Sequence, residues 1–532
     1  MHDQIEQQLS RGDFAGATAL AETALRAAPD DPRLNLLAGR ALLAQGEAES
    51  ALDYIHLALH YAPHLEEALT VRVLALERSG RLAQVDAAYR EFLDCNPDHA
   101  GATLGLALDL RRRGDFDQAA SLLEALIESN PRAGDALGLL GLIKAREFGQ
   151  LDEGEDLVRR ALAIDPQSMA AQSNLGWILV LQRRYAEGLR CLDDVIERHP
   201  ENHETRLMRA YAHLRRGEFA LGWRDIEARH HSRLATARQF EYPRWSGKTI
   251  DGGTLLVNAE QGLGDQIMYA SCIPDAIAGL GGSGRVIIEC DPRLVGLFER
   301  SFASAIVVPH RPDSSRPGPF DDLGRIDCGI PSGSLPSLYR KAWRDFPDRA
   351  GYLRADPEKI AAWRRRLDRL SPLPKIGISW RGGSPQTRRR LRSISLESLL
   401  PLLRLPAAFV SLQYGEVQSE IEQLNRTLAA PMHVFRLSPA DYDDTAGLVG
   451  ALDLVVSVCT AVVHLAGALG KRTWVLAPAV PEWRYLDEGE AMPWYPSVRM
   501  VRQERVESWD PAIQRLAILI QRSLESMASL RE

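Results

Sequence analysis

Cysteine is scarce in this chain and follows no pattern. Six thiols (Cys95, Cys191, Cys272, Cys290, Cys328 and Cys459) are scattered over 532 residues. None forms a CxxC or a His-paired spacing, which argues against a disulfide framework and against a zinc site. Excess positive charge is lacking too. The formal net charge is −7, so the chain as a whole has no electrostatic footprint for nucleic acid. Long uncharged apolar runs are missing. The longest apolar stretch, Leu448 to Leu469, contains Asp453 and His464 and reads as helix end, strand and helix rather than as a membrane span. The opening residues, Met-His-Asp-Gln-Ile-Glu, are acidic and polar, unlike a signal peptide. The expectation is a cytoplasmic protein with no membrane span. No Asp-x-Asp stands in a metal-like context, and no metal or cofactor is expected. What remains is an ordinary globular composition, 45% hydrophobic and 25% charged, with length for about three domains.

The first part is a repeat. Prolines recur at Pro29, Pro63, Pro97, Pro131, Pro166 and Pro200, and glycines at Gly12, Gly46, Gly80, Gly114, Gly149 and Gly217, with Arg183 in the one slot that lacks glycine. Small residues follow most glycine slots by five, at Ala17, Ala51, Ala119, Gly154, Gly188 and Gly222. A period of 34 residues with one insertion near Phe148-Gly149 is the tetratricopeptide signature. The glycine slot turns one helix into the next, small residues let the pair approach, and proline ends the second helix. Such units stack into a superhelix with a concave groove suited to a peptide or protein. The array is assigned to residues 1–235, as six to seven units ending in the helix around Gly217 to Arg229. Tyr242-Pro-Arg-Trp-Ser-Gly-Lys248 then breaks the helical pattern.

The remainder alternates strand and helix. Thr254-Leu-Leu-Val257 is a buried strand running into Asn258-Ala-Glu-Gln-Gly-Leu-Gly-Asp-Gln-Ile-Met268, a glycine turn opening a helix (Gln266 to Ile277, with a kink at Pro274). Strands follow at 285–290, 305–308 and from 326. Arg311 to Pro319 reads as loop. A second run has strands at 375–380, 408–413, 432–435, 454–457 and 473–476, with helices between them. Asp444-Thr445 is the expected cap of one helix. The last helix, Pro511 to Met527, is expected to cross back to the first run. Alternation of this kind argues for parallel, doubly wound sheets. The fold class is therefore α + α/β: a solenoid, then two Rossmann-like lobes (236–350 and 351–532) in a GT-B arrangement, with ligands at the carboxyl ends of the strands.

Asp265 sits at a helix start, where a carboxylate either caps backbone N–H groups or serves as a general base. Thr460, with Ala461 and Val462, opens another helix, whose unpaired N–H groups and positive dipole end suit an anion. Arg381-Gly-Gly-Ser-Pro-Gln-Thr-Arg-Arg-Arg-Leu-Arg392 follows a strand and is either a solvated basic loop or a pyrophosphate clamp through Arg381 and Arg392, with Arg388 to Arg390 at the surface. Gln413 and Glu482 lie near strand ends beside the cleft. Trp483, Trp494 and Tyr495 either stack on a base or pack the lobe.

Gly262-Leu-Gly-Asp265 and Thr460-Ala-Val-Val-His464-Leu-Ala-Gly-Ala468 resemble motifs of the ADP-heptose:lipopolysaccharide heptosyltransferases. The whole chain resembles bacterial proteins that fuse tetratricopeptide repeats to such a region, through Glu260–Asp265, Ser411-Leu-Gln-Tyr-Gly415, Pro481-Glu-Trp-Arg-Tyr485 and Met492–Arg499. The resemblance implies a glycosyltransferase that inverts configuration without a metal. Asp265 would be the base. Gly262, Gly264, Arg381, Arg392, Gln413, Thr460, Ala461, Val462, His464 and Glu482 would bind a nucleotide-sugar donor, with His464 read alternatively as a packed, ring-anchoring residue. The acceptor would be a protein held by the repeats, such as flagellin or another surface protein. Cys459 departs from the pattern, which has Asp there, and Ala461 replaces Gly. The alternative is a non-catalytic scaffold or secretion chaperone with a degenerate GT-B region.

Overall fold

The computed structural model describes residues 1–232, 242–310, 323–438 and 440–529. The chain divides into two compact units. One is Met1–Ala145 with Asp152–Asn174, the other Arg146–Leu151 with Leu175–Glu532. Fourteen α-helices, from His2–Arg11 to Phe219–Ile226, make up the repeats.

In the first unit the helices pair as the period requires, for example Pro32–Gln45 with Ala48–Tyr61 and Ala100–Arg113 with Phe116–Ser129. The glycine slot works by handedness. Gly46 takes φ 89°, and its N–H and that of Glu47 return to the Leu43 and Leu42 carbonyls, which closes the helix end. The small residues work by contact. A Cβ on Gly154 would stand 2.6 Å from the Gly141 carbonyl oxygen, and one on Gly141 would stand 2.7 Å from that of Gly154. The extra residue near 148 lengthens one helix, Gly134–Phe148, to 15 residues against 14 in Pro32–Gln45 and Ala100–Arg113.

The second unit contains the late repeats and two sheets. Arg183, in the slot without glycine, still adopts φ 63°, a conformation that costs a side-chain-bearing residue about 1 kcal/mol. The first sheet orders β1 (Thr254–Asn258), β2 (Arg285–Cys290), β3 (Ile306–Pro309) and β4 (Cys328–Pro331) as β3-β2-β1-β4, all parallel. The second contains β5 (Lys375–Ser379), β6 (Ala408–Ser411), β7 (Leu454–Val458), β8 (Thr473–Ala477), β9 (Ala491–Met492) and β10 (Tyr495–Arg502), in the order β6-β5-β7-β8-β10-β9. Only the β9–β10 pair is antiparallel. Every residue of β1, β5 and β7 is buried, as in parallel strands covered on both faces.

Several elements differ from expectation. Residues 432–435 form no strand. His433 exchanges two backbone hydrogen bonds with Phe409 and Ser411, and Phe435 then turns inward to meet Trp363, with ring centroids 5.1 Å apart. The helix expected to be capped at Asp444-Thr445 starts earlier, as Tyr442–Ala451 capped by Asp441. That frees Asp443 to pair with Arg300, at 2.7 and 2.8 Å. The helix after β1 breaks sooner than Pro274 alone would make it, through a short 3-10 turn at Ala270–Cys272. The terminal helix, Asp510–Ser529, does not cross back. Its Ile513, Leu516, Ile520 and Leu524 share a core with Ile376 and Ile378 of the second sheet and Leu402 of the Leu400–Leu403 helix.

The expected boundary at 235 and the Arg311–Pro319 loop lie outside the described residues. Compactness places the late repeats with the sheets. Leu214, Phe219, Trp223 and Ile226 join the same apolar core as Leu255 of β1, Val475 of β8 and Val498 of β10. Four cysteines, Cys272, Cys290, Cys328 and Cys459, are buried in this unit, whereas Cys95 is exposed.

Candidate functional site

The loops leaving the carboxyl ends of β1, β5, β6, β7 and β8 converge on one cleft of about 1450 Å³ in the second unit. This is where open parallel sheets offer ligand sites. Ten of the eleven residues singled out from sequence line it: Gly262, Gly264, Asp265, Arg392, Gln413, Thr460, Ala461, Val462, His464 and Glu482.

The turn after β1 is built differently from the sequence expectation. The left-handed residue is Gln261, with φ 61°, and Gly262 is the extended cap residue of the Leu263–Tyr269 helix. Gly264 serves helix packing. A Cβ there would meet His464 at 3.0 Å and the Ala461 backbone at 3.3 Å, so glycine lets this helix abut the Ala461–Ala468 helix. Glu260 anchors the turn. It takes Arg229 at 3.0 and 2.7 Å and the Gly333 N–H at 2.5 Å. Asp265 does not cap its helix. It lies inside the first turn and is bound by Arg484 at 2.5 Å.

Thr460 caps the Ala461–Ala468 helix by accepting from the Val462 N–H. Cys459, where the heptosyltransferase pattern has Asp, offers the cleft wall its carbonyl, which accepts from Arg392 at 2.5 Å. Arg392 also donates to Thr387, and its Nη1 lies 4.0 Å from Glu482. Burial alone would raise the Glu482 carboxyl, but Arg484, Arg392, Arg388 and Arg146 hold it below its ordinary value.

Arg381 is the exception. Its guanidinium turns out of the cleft to Glu420, at 3.2 Å, and to the Glu416 carbonyl. Arg388, expected at the surface, is buried in the wall instead and donates to the Arg146 carbonyl at 3.0 Å. Burial lowers its pKa to about 10, which leaves it charged at neutral pH. The reason is local: a left-handed φ of 60° at Arg388 turns the chain so that its side chain points inward while Arg389 and Arg390 stay exposed. Gln413 is occupied structurally. Its carbonyl accepts from the Ser379 hydroxyl and from the Trp380 and Arg381 N–H groups, between 2.8 and 3.1 Å, fixing the end of β5. Trp494 and Tyr495 pack the core, and Trp483 joins them at the cleft edge.

Sequence reasoning missed Arg484, although it quoted the Pro481–Tyr485 motif that contains it. It also missed the repeats' contribution, Arg146 and Arg215. The signal for Arg146 was its place in the one helix with an inserted residue. Seven arginines line the cleft against three carboxylates, Asp265, Glu416 and Glu482, which gives it an excess of positive charge. Among the described residues, no group of three or more His, Cys, Asp or Glu could hold a metal ion, and no helix is long and apolar enough to cross a membrane.

His464 is 4% exposed and bonded to the Tyr495 hydroxyl at 3.0 Å. Burial first, then Arg484 and Arg392, hold its pKa well below the ordinary value, so it is neutral. Unfolding releases it to about 6.5. The unfolded chain then binds the extra proton, and stability present above pH 6.5 is lost as pH falls below it. We expect His464→Asn to flatten the fall in unfolding free energy between pH 6.5 and 5, read from urea titrations, by up to about 1.4 kcal/mol per pH unit. An unchanged slope would mean that the ring is protonated in the fold.

Known proteins match the chain as follows. The tetratricopeptide repeat family matches residues 8–72, 104–169 and 173–222. Protein FlbA of Caulobacter vibrioides is 30% identical over 499 residues, covering 84% of this chain and 83% of that protein. The CTR9 homolog of Arabidopsis thaliana is 27% identical over 165 residues, covering 30% of this chain and 15% of that protein. Among solved structures, a tetratricopeptide repeat protein from Parabacteroides merdae is 18% identical with a TM-score of 0.36, covering 42% of this chain and 89% of that one.

Proposed function

The chain belongs to the family of Protein FlbA, whose match spans repeats and sheets together, and from that premise we propose that it is a glycosyltransferase with a GT-B catalytic region. The observation that carries this reading is the meeting, in one arginine-lined cleft, of Asp265 from the first sheet and the amino end of the Ala461–Ala468 helix from the second. A nucleotide-sugar needs both. Its phosphates are held by the Ala461 N–H at the helix start and by Arg392 and Arg388, which stabilise the charge left on the nucleotide as it departs. Asp265 takes the proton of the acceptor hydroxyl. The new bond forms at the anomeric carbon, the sugar–phosphate bond breaks, and its electron pair leaves with the nucleotide. One direct displacement inverts configuration. The arginines and the helix end neutralise phosphate charge in the role a metal ion has in other transferases. Tetratricopeptide grooves hold peptides, so the acceptor is a protein, with flagellin or another exported surface protein as the class to test.

The test is thermal-shift binding of ADP, UDP, GDP, CDP and CMP to wild type, Arg392→Ala and Thr460→Ala. At about 100 times its dissociation constant a ligand adds ~2.7 kcal/mol of apparent stability. One nucleotide is expected to shift wild type and to lose the shift in Arg392→Ala. Silence across the panel would overturn the reading.

A further inference from the structure

Arg484 stands between two carboxylates contributed by different sheets. It binds Asp265 at 2.5 Å, pairs with Glu482, and leaves its Nε buried with no partner among the described residues. Its guanidinium lies 5.0 Å over the Trp483 ring. Glu482 in turn faces Arg392, which is tied to the Cys459 carbonyl just before the helix cap at Thr460. An unbroken line of charges thus runs from Asp265 to the anion end of the cleft.

This arrangement conflicts with the simplest form of the transferase reading, on which the inference rests. The Arg484 guanidinium already occupies Asp265 Oδ1, so an oxygen that would meet the acceptor hydroxyl is engaged by a donor. We propose that Arg484 is a positioning residue that keeps Asp265 silent as a base until a donor phosphate draws the guanidinium away. Arginine suits the exchange, because its planar fork serves carboxylate and phosphate alike. Phosphate brings more negative charge than Asp265 and competes for the same donors. Once Arg484 has moved to it, Asp265 is free to accept the acceptor's proton. The base is armed only when the group to be transferred is present. Donor therefore binds before acceptor becomes reactive, and Asp265 and phosphate compete for Arg484.

Calorimetric titration with inorganic pyrophosphate tests the competition, on wild type, Asp265→Asn, Arg484→Gln and the double variant. Asp265→Asn is expected to tighten pyrophosphate by at least about fivefold, within the usual range of coupling between sites. That gain should vanish when Arg484 is already replaced. Plain repulsion between Asp265 and the anion makes the opposite forecast, because without Arg484 the repulsion is unshielded and the gain grows. A gain that persists or grows in the Arg484→Gln background overturns the proposal, and so does an unchanged affinity in Asp265→Asn. Arg484→Lys, which keeps the charge and loses the fork, completes the cycle if Arg484→Gln does not fold, with a reduced gain expected and an undiminished one decisive against the latch. Pyrophosphate binding to none of the proteins would overturn both the latch and the transferase reading. Binding without coupling would overturn the latch alone.

Discussion

Replacing Asp265 with Asn is expected to lower sugar transfer by about 10²–10⁴-fold, the range over which a positioned general base acts. The side chain keeps its size, so the loss falls on turnover, while the affinity for the nucleotide's phosphates tightens. The structure makes this a clean substitution. Asp265 caps no backbone group, so the helix start loses nothing when the charge goes. Arg484 retains Glu482 as a partner. Initial rates with a saturating nucleotide-sugar, alongside the nucleotide thermal shift, separate the chemical effect from an unfolded site. Transfer within threefold of wild type, with folding unchanged, would remove Asp265 from the chemistry.

Trp223→Ala is expected to destabilise the second unit by about 3–5 kcal/mol, as large-to-small core substitutions of aromatics do. Trp223 is 1% exposed, donates its indole N–H to the Arg340 carbonyl at 2.7 Å, and meets Trp483 edge-on with centroids 5.5 Å apart. It lies on the last repeat helix, yet it supports the loop that carries Glu482 and Arg484. The urea midpoint followed by circular dichroism would report the loss. Trp223→Phe should recover most of the packing while leaving the Arg340 carbonyl unpaired, a residual cost of about 1–3 kcal/mol. A chain cut at 235 removes this support and is expected not to fold. A Trp223→Ala shift under about 1 kcal/mol would show that the late repeats merely rest on the sheets.

The repeat array was legible because its signal is redundant: each glycine, small residue and proline recurs, and the one substituted slot, Arg183, still folds as its register demands. Strands β1, β2, β5 and β7 were legible because burial on both faces makes them continuous apolar runs. β10 was not. It opens with Tyr-Pro-Ser and carries Arg499 and Arg502, and its place in the sheet depends on a parallel pairing with β8 that local sequence does not encode. Most of the cleft's lining could be read from motifs that end strands. The arginines were harder, since a side chain's direction depends on one backbone angle. Arg381 and Arg388 exchanged roles for that reason. Nor does sequence reveal that Arg146 and Arg215, from the repeats, share a wall with residues more than 160 positions away.

The buried thiols make the second unit its own reporter. Burial lifts the pKa values of Cys272 and Cys328 to about 11 and that of Cys459 to about 12, and raises that of Cys290 as well. Such thiols hold almost no thiolate at neutral pH, and thiolate is the form that alkylates. A maleimide added to the native protein meets Cys95 at once. It reaches these four, which sit at or beside β2, β4, β7 and the helix after β1, only when the sheets part. The rate at which they label is a clock for opening of the sheets, already installed in the chain without any engineered probe.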